Sequence, residues 1–279
     1  MLTNFHTHTN YCDGKDKIKD IVEKAISLNI QQLGFSSHSP LPFNSEWSLL
    51  NNEELKKYIT EIENEKNKYL DKIEIYKGLE ADYITGMTKN FNDLKFQYNL
   101  DYIIGSIHLV KVPETSNVWF IDGKDTFYIE GIKNFFSNNT RLAVVTYFNQ
   151  IREMIETQEF DIIGHFDKIK LNNANRFFSE NESWYKDEIM SVIDLIKQKD
   201  IIMEVNTRGY YQGKIKDLYP SSWIIEKAIN NNIKIMINSD AHKTDELIKG
   251  FDYALKILKT YGCKSKVVRK NNKWEEVGL

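Results

Sequence analysis

The strongest constraint on the fold is an alternation. Apolar runs of four to six residues recur along the 279-residue chain, and longer amphipathic stretches separate nearly all of them. The runs Leu2–Phe5, Gln32–Phe35, Ile73–Lys77, Tyr102–Ile107, Ile162–His165, Ile201–Val205 and Ile233–Ile237 read as strands. Lys17–Leu28, Glu53–Tyr69, Thr140–Ile155, Trp184–Lys197, Ser222–Asn230 and Asp245–Tyr261 read as helices. The first helix gathers Ile18, Ile21, Val22, Ala25 and Ile26 on one face. Apolar strands joined by helical crossovers imply an α/β chain whose parallel sheet is covered on both faces. Seven or eight such units close naturally into a barrel.

No Gly/Ser/Pro-rich linker and no internal repeat interrupts the alternation, so residues 1–279 read as one domain. The longest irregular stretch is Val110–Gly131. It holds Pro113, Trp119 and Phe120, which points to an ordered insertion or lid over 110–131. The tail Lys266–Leu279 has room for one more strand.

Charge and cysteine content remove whole classes of function. A net charge of −3 excludes a strongly basic nucleic-acid binder, though not a local cationic site. The two cysteines, Cys12 and Cys263, form no CxxC pair, so disulfide frameworks, zinc ribbons and dithiol redox sites are excluded. No apolar run has membrane-spanning length, and the first residues lack the basic-then-apolar order of a signal peptide. The expectation is a reduced, cytoplasmic, soluble protein with no membrane or nucleic-acid partner. Its oligomeric state is not legible.

All six histidines, His6, His8, His38, His108, His165 and His242, lie at or just after the end of an expected strand. In a parallel barrel these ends share one rim, where active sites sit. His6 and His8 are two residues apart, so both side chains point to one face. Asp240 and His242 repeat that spacing after the last expected strand, and Glu80 and Asp82 after the third. Imidazoles mixed with carboxylates suit zinc, manganese or iron. The candidate ligands are His6, His8, Asp13, His38, Glu80, His108, His165, Asp240 and His242. Nine ligands exceed the needs of one ion. Shared among three ions, with Glu80 bridging, they leave positions open for water and substrate.

The segments HTHTNYCDG, SSHSPLP, GLEADY, GSIH, GHFDKIK and NSDAH stand in this order from His6 to His242. In this set the chain resembles the PHP superfamily, named for polymerase and histidinol phosphatase. SSHSPLP and DYIIGSIHLV followed by FIDG resemble its monofunctional histidinol-phosphatase branch most closely. The resemblance implies a distorted (β/α)7 barrel of the TIM type with a trinuclear metal centre at the C-terminal rim. Zinc is the favoured metal, manganese and iron the alternatives. By position, His6, His8, Glu80 and Asp240 would hold one ion, Glu80, His108 and His165 a second, and Asp13, His38 and His242 a third.

The implied reaction is hydrolysis of L-histidinol phosphate, in histidine biosynthesis, by a hydroxide bridging two metals, which attacks phosphorus. Three divalent cations against three carboxylates leave the pocket about three charges positive, over a Debye length of ~8 Å. Glu80, Asp240 and His242 are the expected catalytic residues. Arg208, at the end of the sixth strand, is the expected phosphate clamp because a guanidinium matches phosphate bidentately. His38 is a further substrate contact. Asp82 is a candidate reader of the substrate amine, or else orients a metal histidine, and Glu114 and Asp122 are further acidic candidates for the amine. Lys111, Lys168 and Lys170 read as solvated, Cys12 as a bystander, and Tyr11, Trp119 and Phe120 as groups that close over substrate. The alternative is a PHP phosphoesterase acting on a nucleotide or phosphotyrosine. An amidohydrolase would set a bridging lysine where this chain has Glu80, and a non-catalytic module would have lost ligands.

Overall fold

Seven parallel strands follow one another around a sheet in chain order. The structure, a computed structural model, describes residues 1–49 and 51–279. The strands are β1 (Thr3–Asn4), β2 (Gln32–Phe35), β3 (Glu74–Asp82) and β4 (Tyr102–Ser106), then a hairpin of β5 (Leu109–Lys111) and β6 (Val118–Phe120), then β7 (Ile162–Ile163), β8 (Ile202–Asn206) and β9 (Ile235–Asn238). The sheet order is β1-β2-β3-β4-β7-β8-β9, with the hairpin outside it. Beyond β1 and β9 the two edges meet in a parallel bridge between Thr7 and Ala241. There the His8 N–H donates to the Ala241 carbonyl at 2.8 Å and the Ala241 N–H to the His6 carbonyl at 3.1 Å. The barrel is therefore nearly closed.

The helices are α1 (Ile18–Ser27), α2 (Asn52–Lys68), α3 (Phe91–Gln97), α4 (Asp125–Phe136), α5 (Thr140–Thr157), α6 (Ser183–Gln198), α7 (Arg208–Tyr211), α8 (Ser222–Asn230) and α9 (Phe251–Thr260). α1 buries Ile18, Ile21, Val22 and Ala25 in the main hydrophobic core. α2 starts where the Asn51 side chain accepts from the Glu53 and Glu54 amides at 2.9 and 3.0 Å, and buries Leu55, Tyr58 and Ile62. Each fully buried large apolar side chain is worth about 1.5–3 kcal/mol.

A second core fills the lumen with Phe5, Tyr76, Tyr102, Ile104, Ile162, Ile202 and Met236. The Tyr102 hydroxyl lies 2.6 Å from the Phe5 carbonyl and 3.0 Å from the Phe35 carbonyl, tying three strands together at the barrel floor. Its ring lies over Gly78, where a Cβ would come within 2.5 Å of Tyr102 Cζ. Gly78 is thus a close-approach site inside β3. It is not the end of the strand, and Glu80 and Asp82 lie within β3, whereas the sequence suggests that they follow it.

Three other expectations change. Residues 110–131 are not irregular: they hold most of the β5–β6 hairpin and the start of α4, built around Trp119. The stretch Asp245–Tyr261 is not one helix. A 3-10 turn at Thr244–Glu246 precedes α9, and the Thr207 hydroxyl donates to the Lys249 carbonyl at 2.6 Å in between. The tail forms two strands, β10 (Ser265–Lys270) and β11 (Lys273–Gly278), in an antiparallel sheet of their own. Val267 and Trp274 of this hairpin pack on the lumen cluster, so its apolar face is spent as a plug instead of extending the barrel sheet. No helix among the described residues is long and apolar enough to cross a membrane.

Candidate metal centre

All six histidines stand on the rim at the C-terminal ends of the strands. Successive ring centroids around the circuit His6–His8–His38–His108–His165–His6 are separated by 5.2, 4.5, 5.1, 5.0 and 5.8 Å. His242 completes the group 4.0 Å from His8. Glu80 projects from β3 into this circle. Its carboxylate oxygens lie 2.8 Å from His165 Nε2, 3.2 Å from His6 Nε2, 3.2 Å from His38 Nδ1, 3.4 Å from His8 Nε2 and 3.6 Å from His108 Nε2.

Asp240 enters from beyond β9 with a left-handed φ of 53°. A non-glycine residue held there costs about 1–3 kcal/mol, which the surroundings must offset. The twist brings Oδ1 to 3.3 Å from His8 Nε2, 3.4 Å from His242 Nδ1 and 3.8 Å from His6 Nε2. The Asn206 amide donates to its other oxygen at 3.1 Å. Asp13 is partly exposed and lies 3.0 Å from His242 Nε2, 3.7 Å from His8 Nδ1 and 3.9 Å from His38 Nε2. It owes that place to Gly14, whose absent Cβ would meet the Thr9 amide nitrogen at 2.5 Å.

These side chains fall into overlapping groups with the donor chemistry of divalent-cation sites. They are His6, His8 and Glu80; His6, His165 and Asp240; Glu80, His108 and His165; His38, Asp82 and His108; and His8, Asp13, His38 and His242. The donor atoms test the fit. His6 Nε2, His8 Nε2, His38 Nδ1, His165 Nδ1 and Asp13 Oδ1 are buried without a hydrogen-bond partner among the described residues. Buried polar atoms left unmatched are costly, and several of these face carboxylate oxygens across distances that a cation bridges. The residues fit divalent metal ions.

The electrostatics agree. Burial opposes charging of His6, yet Glu204, Asp240 and Glu80 outweigh it and raise this imidazole to about 10. Burial likewise disfavours the Glu80 carboxylate, but His6, His38, His108 and His165 hold its carboxyl well below the usual range. His242 is pushed down to about 4, by burial first and then by His8.

A cavity of about 200 Å³ opens onto this group, lined on one side by Asp13, Glu80, Asp240 and His242. Arg208 lines it as expected, with Nη1 donating to the Asp240 carbonyl at 2.8 Å. Lys168 lines it too and is not solvated: it is buried, 2.7 Å from Asp122 and 3.1 Å from His108 Nε2. Lys170 is also buried, paired with Asp167 at 2.7 Å.

Asp82 does not line the cavity. Its Oδ1 accepts from His108 Nδ1 at 2.7 Å and from the His108 amide at 3.1 Å, the geometry of a carboxylate that orients this imidazole, while its buried Oδ2, 3.6 Å from His38 Nδ1, has no hydrogen-bond partner among the described residues. Glu114 is exposed in the β5–β6 turn, away from the cavity, whereas Asp122 lines it. Trp119 is core, donating to the Tyr128 carbonyl at 3.2 Å, while Phe120 reaches the cavity. Tyr11 bonds Glu61 at 2.7 Å and does not cover the site. Lys111 points into its own hairpin turn, toward the Val112 and Thr115 carbonyls. Cys12 Sγ is 3.5 Å from His8 Nδ1. Burial raises its thiol, but His8 outweighs this and holds it at about 7.

Sequence reasoning passes over Trp47, Glu204 and Asn238. Trp47 stacks with Phe120 at 6.0 Å on the cavity wall, in a loop whose sequence carries no periodic signal. Glu204 and Asn238 are polar residues facing inward from apolar strands, and that misfit within Ile-Met-Glu-Val-Asn is the signal that would have found Glu204.

A Schizosaccharomyces pombe protein described as a probable histidinol-phosphatase is 26% identical over 270 residues, covering 91% of this chain and 84% of that protein. The Bacillus subtilis histidinol-phosphatase is 23% identical over 263 residues, covering 89% and 95%. The crystal structure of Lactococcus lactis histidinol phosphate phosphatase, complexed with zinc, L-histidinol and phosphate, superposes with a TM-score of 0.68. It is 17% identical and covers 98% of each chain. The PHP domain model matches residues 4–208, from the first strand through the rim arginine. The chain belongs to the PHP domain family.

Proposed function

We propose that this chain is a metal-dependent phosphomonoesterase that hydrolyses L-histidinol phosphate to L-histidinol and phosphate. The observation that carries this reading is a carboxylate ringed by five imidazoles, Glu80, at the foot of a cavity that also presents Arg208 and Lys168. The relatives named for this activity span nearly the whole chain.

Three divalent ions, zinc first, suit the ligand set, held by His6, His8, Glu80 and Asp240, by Glu80, His108 and His165, and by Asp13, His38 and His242. Bound there, such cations supply an activated water and offset phosphoryl charge. Glu80, Asp240 and His242 form the reacting edge, with His38 beside it. Arg208 offers a planar fork to phosphate oxygens. Lys168 adds a second positive charge. Burial opposes that charge, but Asp122, Asp240 and Glu80 raise the ammonium above its ordinary value, so it stays charged. The stacked Trp47–Phe120 pair gives the leaving alcohol an apolar wall, and Asp122 supports an ammonium group there. The β5–β6 hairpin and the loop after it thus act as a wall that supplies Phe120 and Asp122, within one domain over 1–279.

Substrate competition tests the reading. With metal-replete enzyme, kcat/KM for L-histidinol phosphate should exceed that for p-nitrophenyl phosphate and nucleoside monophosphates by at least about 10²-fold, because a hydrogen-bonding pocket rejects analogues that lack the bonded group. Equal efficiency on all three would reduce the claim to general phosphomonoesterase activity. Preference for a nucleotide would move it to a different substrate class.

A further inference from the structure

Beneath the metal cluster lies one charged group that the chemistry above does not use. Glu204, in the middle of β8, is completely buried. Its Oε1 accepts from His6 Nδ1 at 2.6 Å and from the Asn238 amide at 3.0 Å. Its Oε2 accepts from the His165 backbone N–H at 3.0 Å and from the Asn206 amide at 3.0 Å. The four donors lie on or just beyond β1, β7, β8 and β9. Glu204 belongs to none of the ligand groups of the centre, and its oxygens are already occupied. His6 Nε2, by contrast, has no hydrogen-bond partner among the described residues and faces Glu80 at 3.2 Å and Asp240 at 3.8 Å.

We propose that Glu204 is a positioning residue that fixes His6 as the Nδ1–H tautomer and so aims its Nε2 lone pair at the cation shared with Glu80 and Asp240. The proposal rests on the metal-dependent reading above. An imidazole carries one proton when neutral, and the nitrogen that keeps it is set by the stronger acceptor. A carboxylate behind a metal histidine also raises its basicity, and loss of such a partner typically weakens metal binding 10–100-fold. Glutamine cannot replace Glu204 quietly. All four neighbours donate, so a side-chain NH2 in that place would meet at least one N–H head-on. Aspartate keeps the charge and the acceptor character but falls short by one methylene.

Two measurements without substrate test this. In zinc-loaded wild-type protein with nitrogen-labelled histidine, the His6 resonance, assigned by its loss in His6→Gln, should report a protonated, strongly hydrogen-bonded Nδ1. In Glu204→Gln, zinc competition with a chromophoric chelator should show one site weakened about 10–100-fold and the others retained. Glu204→Asp should recover part of that loss. An unprotonated His6 Nδ1 in the wild type overturns the proposal even if Glu204→Gln fails to fold. Wild-type zinc affinity in a folded Glu204→Gln protein overturns it while leaving the phosphatase reading intact. Wild-type protein that binds neither zinc nor manganese nor ferrous iron overturns both.

Discussion

Arg208 begins α7, and its backbone N–H donates to the Asn206 side chain at 2.9 Å while its guanidinium bonds the Asp240 carbonyl. The arginine is therefore preset before substrate arrives. Arg208→Ala should weaken inhibition by inorganic phosphate about tenfold to a hundredfold, the equivalent of about 1.5–3 kcal/mol for a charged hydrogen bond. Metal content, measured by elemental analysis, should not change. Unchanged phosphate inhibition would remove Arg208 from the phosphate site. At this scale the sequence was most legible where chemistry is rare. Six histidines at strand ends need no structure to be noticed. It was least legible for Lys168 and Asp82, whose surroundings come from distant segments: a lysine looks solvated until Asp122 is placed beside it, and an aspartate looks free until His108 claims it.

Tyr102 shows how an element depends on a single side chain. It is the first residue of β4, fills the space that Gly78 leaves open in β3, and reaches carbonyls beyond β1 and in β2. Tyr102→Phe should cost about 1 kcal/mol, the usual net worth of a hydrogen bond. Urea unfolding of the metal-loaded protein would measure this. The seven barrel strands and six of the helices were readable, since apolar runs and helical periodicity are local. The β5–β6 hairpin was not, because its strands are three residues each and their pairing is tertiary. α3, at seven residues, is too short to show a period. In α4, Gly131 looks like a helix breaker until Trp119 is seen packed against it.

Across the whole molecule, the rim concentrates buried charge, part of it balanced by Lys168 and Arg208. Glu80, Asp82, Glu204 and Asp240 converge with six imidazoles. A ligand that binds only the folded state stabilises it by mass action. Chelation should therefore lower the melting temperature, and added zinc should restore it in a concentration-dependent way. Equal melting temperatures with and without chelator would deny the metal a structural role. In the proposed metal site the pH dependence follows from proton competition, since an imidazole gives up a proton when it ligates a cation. The carboxylates around it outweigh burial and raise it to about 10 without a cation, so protons compete well at neutral pH. Apparent zinc affinity should fall as pH falls, which a chelator-competition titration would show.

The seam between Thr7 and Ala241 also sets a timetable. His6, His8 and Asp13 emerge early from the ribosome, but Asp240 and His242 emerge only after most of the chain has been made. Until then the first strand has no closing neighbour and Glu80 no opposing carboxylate. The candidate ligand groups that include Asp240 or His242 therefore stay incomplete until that last part of the chain is in place.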